Sequence, residues 1–177
     1  MLADREDIRR AQYFNGGRIV IMAEYPLEKT TDVPEHAFLR NDPNTDWDER
    51  ARGLGGTLSL PISSAAEENV LCYSDDRYRS QDILVHEFAH GIHLVSAEDI
   101  HYNFQSRLQG AYENAINTGL WKNTYAATNY IEYFGIGVQC YFDDSRQGPQ
   151  GGDGIHNHID TRTELAEECF VNQNHRR

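Results

Sequence analysis

Cysteine is scarce in this chain: Cys72, Cys140 and Cys169 are the three in 177 residues. They are too few and too scattered for a cysteine zinc cluster, and one disulfide with a free thiol and three reduced thiols both stay open. No Asn-x-Ser/Thr acceptor occurs anywhere, so N-glycosylation gives no pointer to compartment. Long apolar runs are missing too. Nothing approaches the ~20 residues of a membrane-spanning helix, which argues against membrane insertion. Positive charge is short, with 16 Lys+Arg against 28 Asp+Glu and a formal net charge of -12. That balance argues against nucleic acid or an anionic membrane surface as partner. The first residues, Met1-Leu2-Ala3-Asp4-Arg5-Glu6-Asp7, are charged from the start and read as no signal peptide.

What is present suits one domain over residues 1–177, long enough to bury a core. Hydrophobic residues make up 39% and charged residues 25%, with a mean hydropathy of -0.68. The stretch that organises the chain is Asp82-Ile83-Leu84-Val85-His86-Glu87-Phe88-Ala89-His90-Gly91-Ile92-His93, which contains HExxH. On a helix of about 3.6 residues per turn, His86 and His90 project from one face one turn apart, so two imidazoles can hold one metal ion. Glu87 lies beside them as a base for water. The apolar flanks Ile83, Leu84, Val85, Phe88, Ala89 and Ile92 predict a buried helix, in which histidines need partners.

Along the chain, residues 3–13 predict a short surface helix ended by Asn15-Gly16-Gly17. Arg18–Ala23 is a β-branched run expected as a strand buried on both faces. Pro26, Pro34, Pro43 and many charges mark 24–56 as a long irregular segment with a helical turn after Pro34. Thr57–Leu60 and Asn69–Tyr73 are the next two strand candidates, and either one is expected to be the sheet edge along which an extended peptide lies. Ser80 or Asp82 caps the metal helix, which runs to about Val95. Phe104, Leu108, Ala111, Tyr112, Ala115 and Ile116 form one helical stripe ending at Gly119, expected to pack behind the metal helix.

The third ligand decides the reading. In HExxHxxGxxH a histidine stands six residues after the second; here that place holds Ser96, and the glycine place holds His93. That class is excluded. His93 is read either as a residue that supports the ligands or faces the substrate, or as a structural histidine. Among downstream carboxylates, Glu132 is a lone acid in the apolar, aromatic stretch 125–139, where a charge is costly to bury unless paired or bound to metal. Its competitor, Glu113, sits on the stripe-bearing helix and needs no special reason to face water.

HEFAH, followed 42 residues after its second histidine by a glutamate within Tyr-x-x-Thr-Asn-x-x-Glu-aromatic-Phe, resembles the catalytic domain of the lethal-factor-like secreted zinc metallopeptidases. The likeness also takes in Arg52-Gly53-Leu54-Gly55-Gly56, Glu67-Glu68-Asn69 and Thr161-Arg162-Thr163-Glu164-Leu165, and so spans most of 18–165. It implies an α+β zincin-like fold, a small mixed sheet with the HExxH helix and a second helix carrying the third ligand. By position it places zinc on His86, His90 and Glu132, the general base on Glu87 and a transition-state tyrosine on Tyr125. The activity implied is zinc-dependent hydrolysis of a peptide or protein substrate by a secreted, extracellular enzyme.

One departure stands out. Where the family reads Glu-aromatic-aromatic-Ala-Glu, with the last glutamate orienting a zinc histidine, this chain has Gly135-Ile136. Isoleucine accepts no hydrogen bond, and losing such a partner lowers metal affinity or activity by about 10–100-fold. Another acceptor, such as a backbone carbonyl, is therefore expected at His86. Ile136 also favours the alternative of a zincin-shaped binding module that does not hydrolyse. Farther on, a glycine-rich loop leads to Ile155-His156-Asn157-His158, with His156 and His158 expected to line the cleft or fasten the loop, and Thr161 with Glu164 forms a capping box for a last helix.

Overall fold

The computed structural model describes residues 1–78, 81–142 and 145. The fold is α+β. Helix α1 (Glu6–Phe14) leads through Gly16, at φ 73°, into β1 (Arg18–Met22). The segment after β1 winds through two 3₁₀ stretches, Thr30–Asp32 and Pro34–Asn41, to the one-turn helix α2 (Trp47–Arg50). Asp46 caps α2 by accepting from the backbone N–H groups of Asp48 and Glu49. Then come β2 (Gly53–Leu54), β3 (Ile62–Ala66) and the short α3 (Glu67–Val70). Helix α4 (Ile83–Gly91) follows, continuing through a π-helical turn (Ile92–Ala97) into α5 (Glu98–Ile100). Helix α6 (Phe104–Asn117), a 3₁₀ turn (Tyr125–Ala127) and α7 (Tyr130–Phe142) complete the described chain.

The sheet is mixed, in the order β1-β3-β2. β1 runs parallel to β3 from Arg18↔Ile62 to Met22↔Ala66, and β2 pairs antiparallel through Gly53↔Ala65 and Leu54↔Ser64. Among the described residues β1 is therefore an edge strand, and not buried on both faces as its apolar run predicts: Ile19 and Ile21 are 47% and 40% exposed and only Met22 is buried. The fully buried central strand is β3, Ile62-Ser63-Ser64-Ala65-Ala66. Its small side chains hide it from a hydropathy reading, yet they are what lets α4 lie directly on it. The Ser63 hydroxyl donates to the Glu87 carbonyl at 2.8 Å, and a Cβ on Gly91 would stand 2.7 Å from that hydroxyl.

Both other expected strands are corrected. Thr57–Leu60 is a tight turn closed by reciprocal backbone hydrogen bonds of 2.9 and 3.1 Å. Asn69–Tyr73 is the end of α3 and a turn, because Asn69 is used as a clamp on the start of α4. Its amide donates to Asp76 and to the Gln81 carbonyl, and its oxygen accepts from the Ile83 N–H at 2.8 Å. The sheet edge beside the helix is instead β2.

Asp82 caps α4, accepting from the Val85 N–H at 2.9 Å. The helical run then extends past Val95 to Ile100, because the π turn carries it on. α6 ends at Asn117, with Thr118 as its C-cap and Gly119, at φ 81°, just beyond, and lies against α7 rather than behind α4. Of its stripe only Ala115 is buried, in the core cluster with Trp121, Ala126, Ile136 and Cys140, while Ala111 and Ile116 are exposed. A second cluster, Met22, Val33 and Ala66, closes the far side of the sheet. Beside it Arg52 forms a buried bidentate pair with Glu68 at 2.6 and 2.8 Å. Burial works to raise the Glu68 carboxyl, but the guanidinium outweighs it and holds the group below its ordinary value. Cys72 is an exposed free thiol, and Cys140 is buried in α7. Among the described residues no helix is long and apolar enough to cross a membrane.

Candidate metal centre

Helix α4 presents His86 and His90 one turn apart, and α7 crosses it so that Glu132 meets both. Asn129 sets the start of α7 by accepting from the N–H groups of Ile131 and Glu132, each at 2.9 Å, which fixes the backbone that carries the glutamate. His86 Nε2 lies 3.0 Å from His90 Nε2 and 3.0 Å from Glu132 Oε2, and His90 Nε2 lies 3.4 Å from that oxygen. Ligands held about 2.0–2.1 Å from a tetrahedral zinc ion stand about 3.3 Å apart. The three donor atoms are spaced as that ion requires, and the two-imidazole, one-carboxylate set is one that zinc accepts. These residues form a candidate metal triad.

The hydrogen bonds around His86 fix which nitrogen faces the triad. Gln139, fully buried on α7, donates through Nε2 to the Asp82 carbonyl at 2.7 Å. Its oxygen must then accept, and it accepts from His86 Nδ1 at 3.0 Å. With the proton on Nδ1, Nε2 carries the lone pair that a metal needs. Gln139 thus gives His86 the hydrogen-bond acceptor that Ile136 cannot, from one turn farther along the helix. The signal was in the sequence, since a lone amide seven residues after Glu132 falls on the same helical face. Ile136 meanwhile points into the core with Trp121 and Cys140.

Glycine permits the close helix crossing. A Cβ on Gly135 would lie 2.8 Å from His86 Cε1 and 3.0 Å from His90 Cε1. Across the site, a Cβ on Gly55, just after β2, would lie 2.5 Å from the His90 Cβ. Between them the two glycines let backbone close on both faces of the imidazole pair.

The triad opens into a cleft of about 550 Å³, which Glu87, Tyr125, Leu54, Trp47 and Arg50 also line. Burial pushes the Glu87 carboxyl above the ordinary carboxylate range, against the pull of His86 and His90. Burial opposes the charged form of Glu132 too, but the adjoining imidazoles of His86 and His90 outweigh it and hold that carboxyl far below the ordinary range. Tyr125 donates its hydroxyl to Glu132 Oε1 at 3.2 Å, and burial together with that carboxylate pushes its phenol up to about 12, so it keeps its proton at neutral pH.

His93 lies outside the cleft. It is fully buried in the π turn, with Phe104, Phe134 and Tyr130 ring centroids 5.3, 5.5 and 5.9 Å away. Glu113 faces solvent on α6 and bonds Gln109 at 3.0 Å. His156, His158, Cys169 and the capping box at Thr161 lie outside the described residues. Comparison with protein-family models, with curated proteins and with solved structures finds no match to this chain.

Proposed function

We propose that this domain is a zinc-dependent endopeptidase of the zincin type, related to the lethal-factor-like metallopeptidases its motifs resemble. The observation that carries the reading is the spacing of His86 Nε2, His90 Nε2 and Glu132 Oε2, with His86 tautomerically fixed by Gln139. Bound zinc supplies Lewis acidity there, polarising a carbonyl and bringing the pKa of water down to about 7. The protein's own groups supply the rest. Glu87, partly buried and raised in pKa, takes the proton from the attacking water and hands it to the leaving amine. Tyr125, still protonated, donates to the oxyanion that develops on the carbonyl. β2 borders the same cleft at the sheet edge, and an extended peptide lies along its free side as one further strand.

The alternative of a module that holds zinc or a peptide without hydrolysis rested on Ile136. Gln139 weakens that ground by giving His86 a buried partner. The test is peptide cleavage by the zinc-loaded protein, its loss on chelation, and comparison with Glu87→Gln. The variant is expected to keep one zinc per chain while activity falls about 10²–10⁴-fold. Equal activity in both proteins, or a chain that takes up no zinc, rejects the proposal.

A further inference from the structure

Arg50 is the one lysine or arginine among the described residues lining the metal cleft. It is exposed at the end of α2, and its guanidinium carbon lies 5.2 Å from the centroid of the Trp47 ring. Trp47 is itself held, its indole N–H donating to Asp42 Oδ2 at 2.8 Å, so the platform under the cation is fixed. In a chain of net charge -12, Arg5, Arg10, Arg18, Arg40 and Arg52 each pair with a carboxylate. Among the described residues Arg50 has no such partner. It shares that cleft with Glu87 and Tyr125. A stacked guanidinium with its planar edge free presents a fork of N–H donors that fits one anion geometry well, a carboxylate bound through two oxygens.

We propose that Arg50 is the specificity-determining residue of this cleft, binding a carboxylate of the peptide substrate close to the scissile bond. The proposal rests on the peptidase reading given above. The carboxylate has two sources, an Asp or Glu side chain or the free end of the peptide, and both present the same two oxygens. Because the site is at a rim, its contribution falls as ionic strength rises.

The experiment uses amidated peptides that differ only in Glu, Gln or Lys at successive positions around the cleavage site, plus the Gln peptide with a free C-terminal carboxylate. Values of kcat and KM are measured for the wild type, Arg50→Gln and Arg50→Glu, and Kd for the same peptides on zinc-loaded Glu87→Gln protein, which binds without turnover. At one position the Glu peptide should exceed the Gln peptide about tenfold, expressed in KM and repeated in Kd. Arg50→Gln should bring that ratio to about one, and Arg50→Glu should invert it in favour of Lys. If the gain follows the free C-terminus instead, the carboxylate bound is the chain end. A ratio that survives in Arg50→Gln overturns the proposal, as does a wild-type ratio of one for both carboxylate sources, or failure of every peptide to bind. Absent cleavage with the Kd ratio intact rejects the peptidase reading and leaves the role of Arg50 standing.

Discussion

Helix α4 and the π turn that continues it carry three histidines within eight positions and treat them in opposite ways. In α4, His86 and His90 turn their Nε2 atoms toward each other and toward Glu132, and Gln139 holds His86 from behind. In the π turn, His93 is walled by three aromatic rings, and among the described residues neither of its nitrogens has a hydrogen-bond partner. Glu98 Oε1 comes within 3.3 Å of His93 Nε2, but without hydrogen-bond geometry. Helical spacing alone puts all three on related faces. What separates them is the element each meets: α7 brings a carboxylate and an amide to the first two and the rings of Phe134 and Tyr130 to the third. A turn wound more widely than an α-helix also moves His93 away from the line of the other two.

This contrast breaks most sharply at the ligands. Replacing His86 or Glu132 with Ala should lower zinc affinity by more than the ~100-fold that an outer partner can be worth, whereas His93→Leu should leave it unchanged. Competition with a chromophoric chelator measures both, and a large loss in His93→Leu would collapse the distinction. Gln139→Leu is the next test. It leaves all three ligands in place but removes the acceptor of His86 Nδ1, and affinity should fall about 10–100-fold with the helical content unchanged. An unaltered affinity would mean the His86 tautomer does not depend on Gln139.

The last effect concerns His93 alone. Burial, with the nearby His90 adding to it, lowers its pKa from 6.5 to about 4. An unfolded chain therefore binds a proton at His93 that the folded one refuses between those values, so stability is full above pH 6.5 and declines as pH falls toward 4. From pH 7 to pH 5 the loss attributable to His93 is about 2 kcal/mol. Denaturant titration of zinc-free protein at both pH values should show that loss in wild type and a matching reduction of it in His93→Leu. Glu98, itself raised by burial, faces His93 and is the group to vary next if the loss is smaller.

How much of this was legible beforehand depends on whether the signal was local. HExxH on an apolar helix, the Asp82 cap, Gly119 as a stop and a lone Glu132 among aromatics all state their role within a few residues, and the α+β class follows from such pieces. β3 was missed because a strand built of Ser and Ala carries no hydropathic mark; its identity comes from α4 lying on it and β1 and β2 flanking it. Asn69–Tyr73 was misread because the demand on Asn69 comes from Gln81 and Ile83, in a later element. Gln139 obeyed helical periodicity but took its meaning from His86, 53 residues earlier. Arg50 gives no sign of its place in the cleft until α2 is set beside β2.

The helix crossing at Gly135 also constrains how this chain can change. Alanine placed there adds a methyl that meets His86 at 2.8 Å, and glutamate in place of Ile136 puts a carboxylate among Ala115, Trp121, Ala126 and Cys140. Neither substitution is accommodated without a shift of α7 against α4 or the core. Glycine, isoleucine and glutamine at 135, 136 and 139 are thus one coupled arrangement, in which the fit of each to α4 and the core depends on the placing of α7 that the other two require.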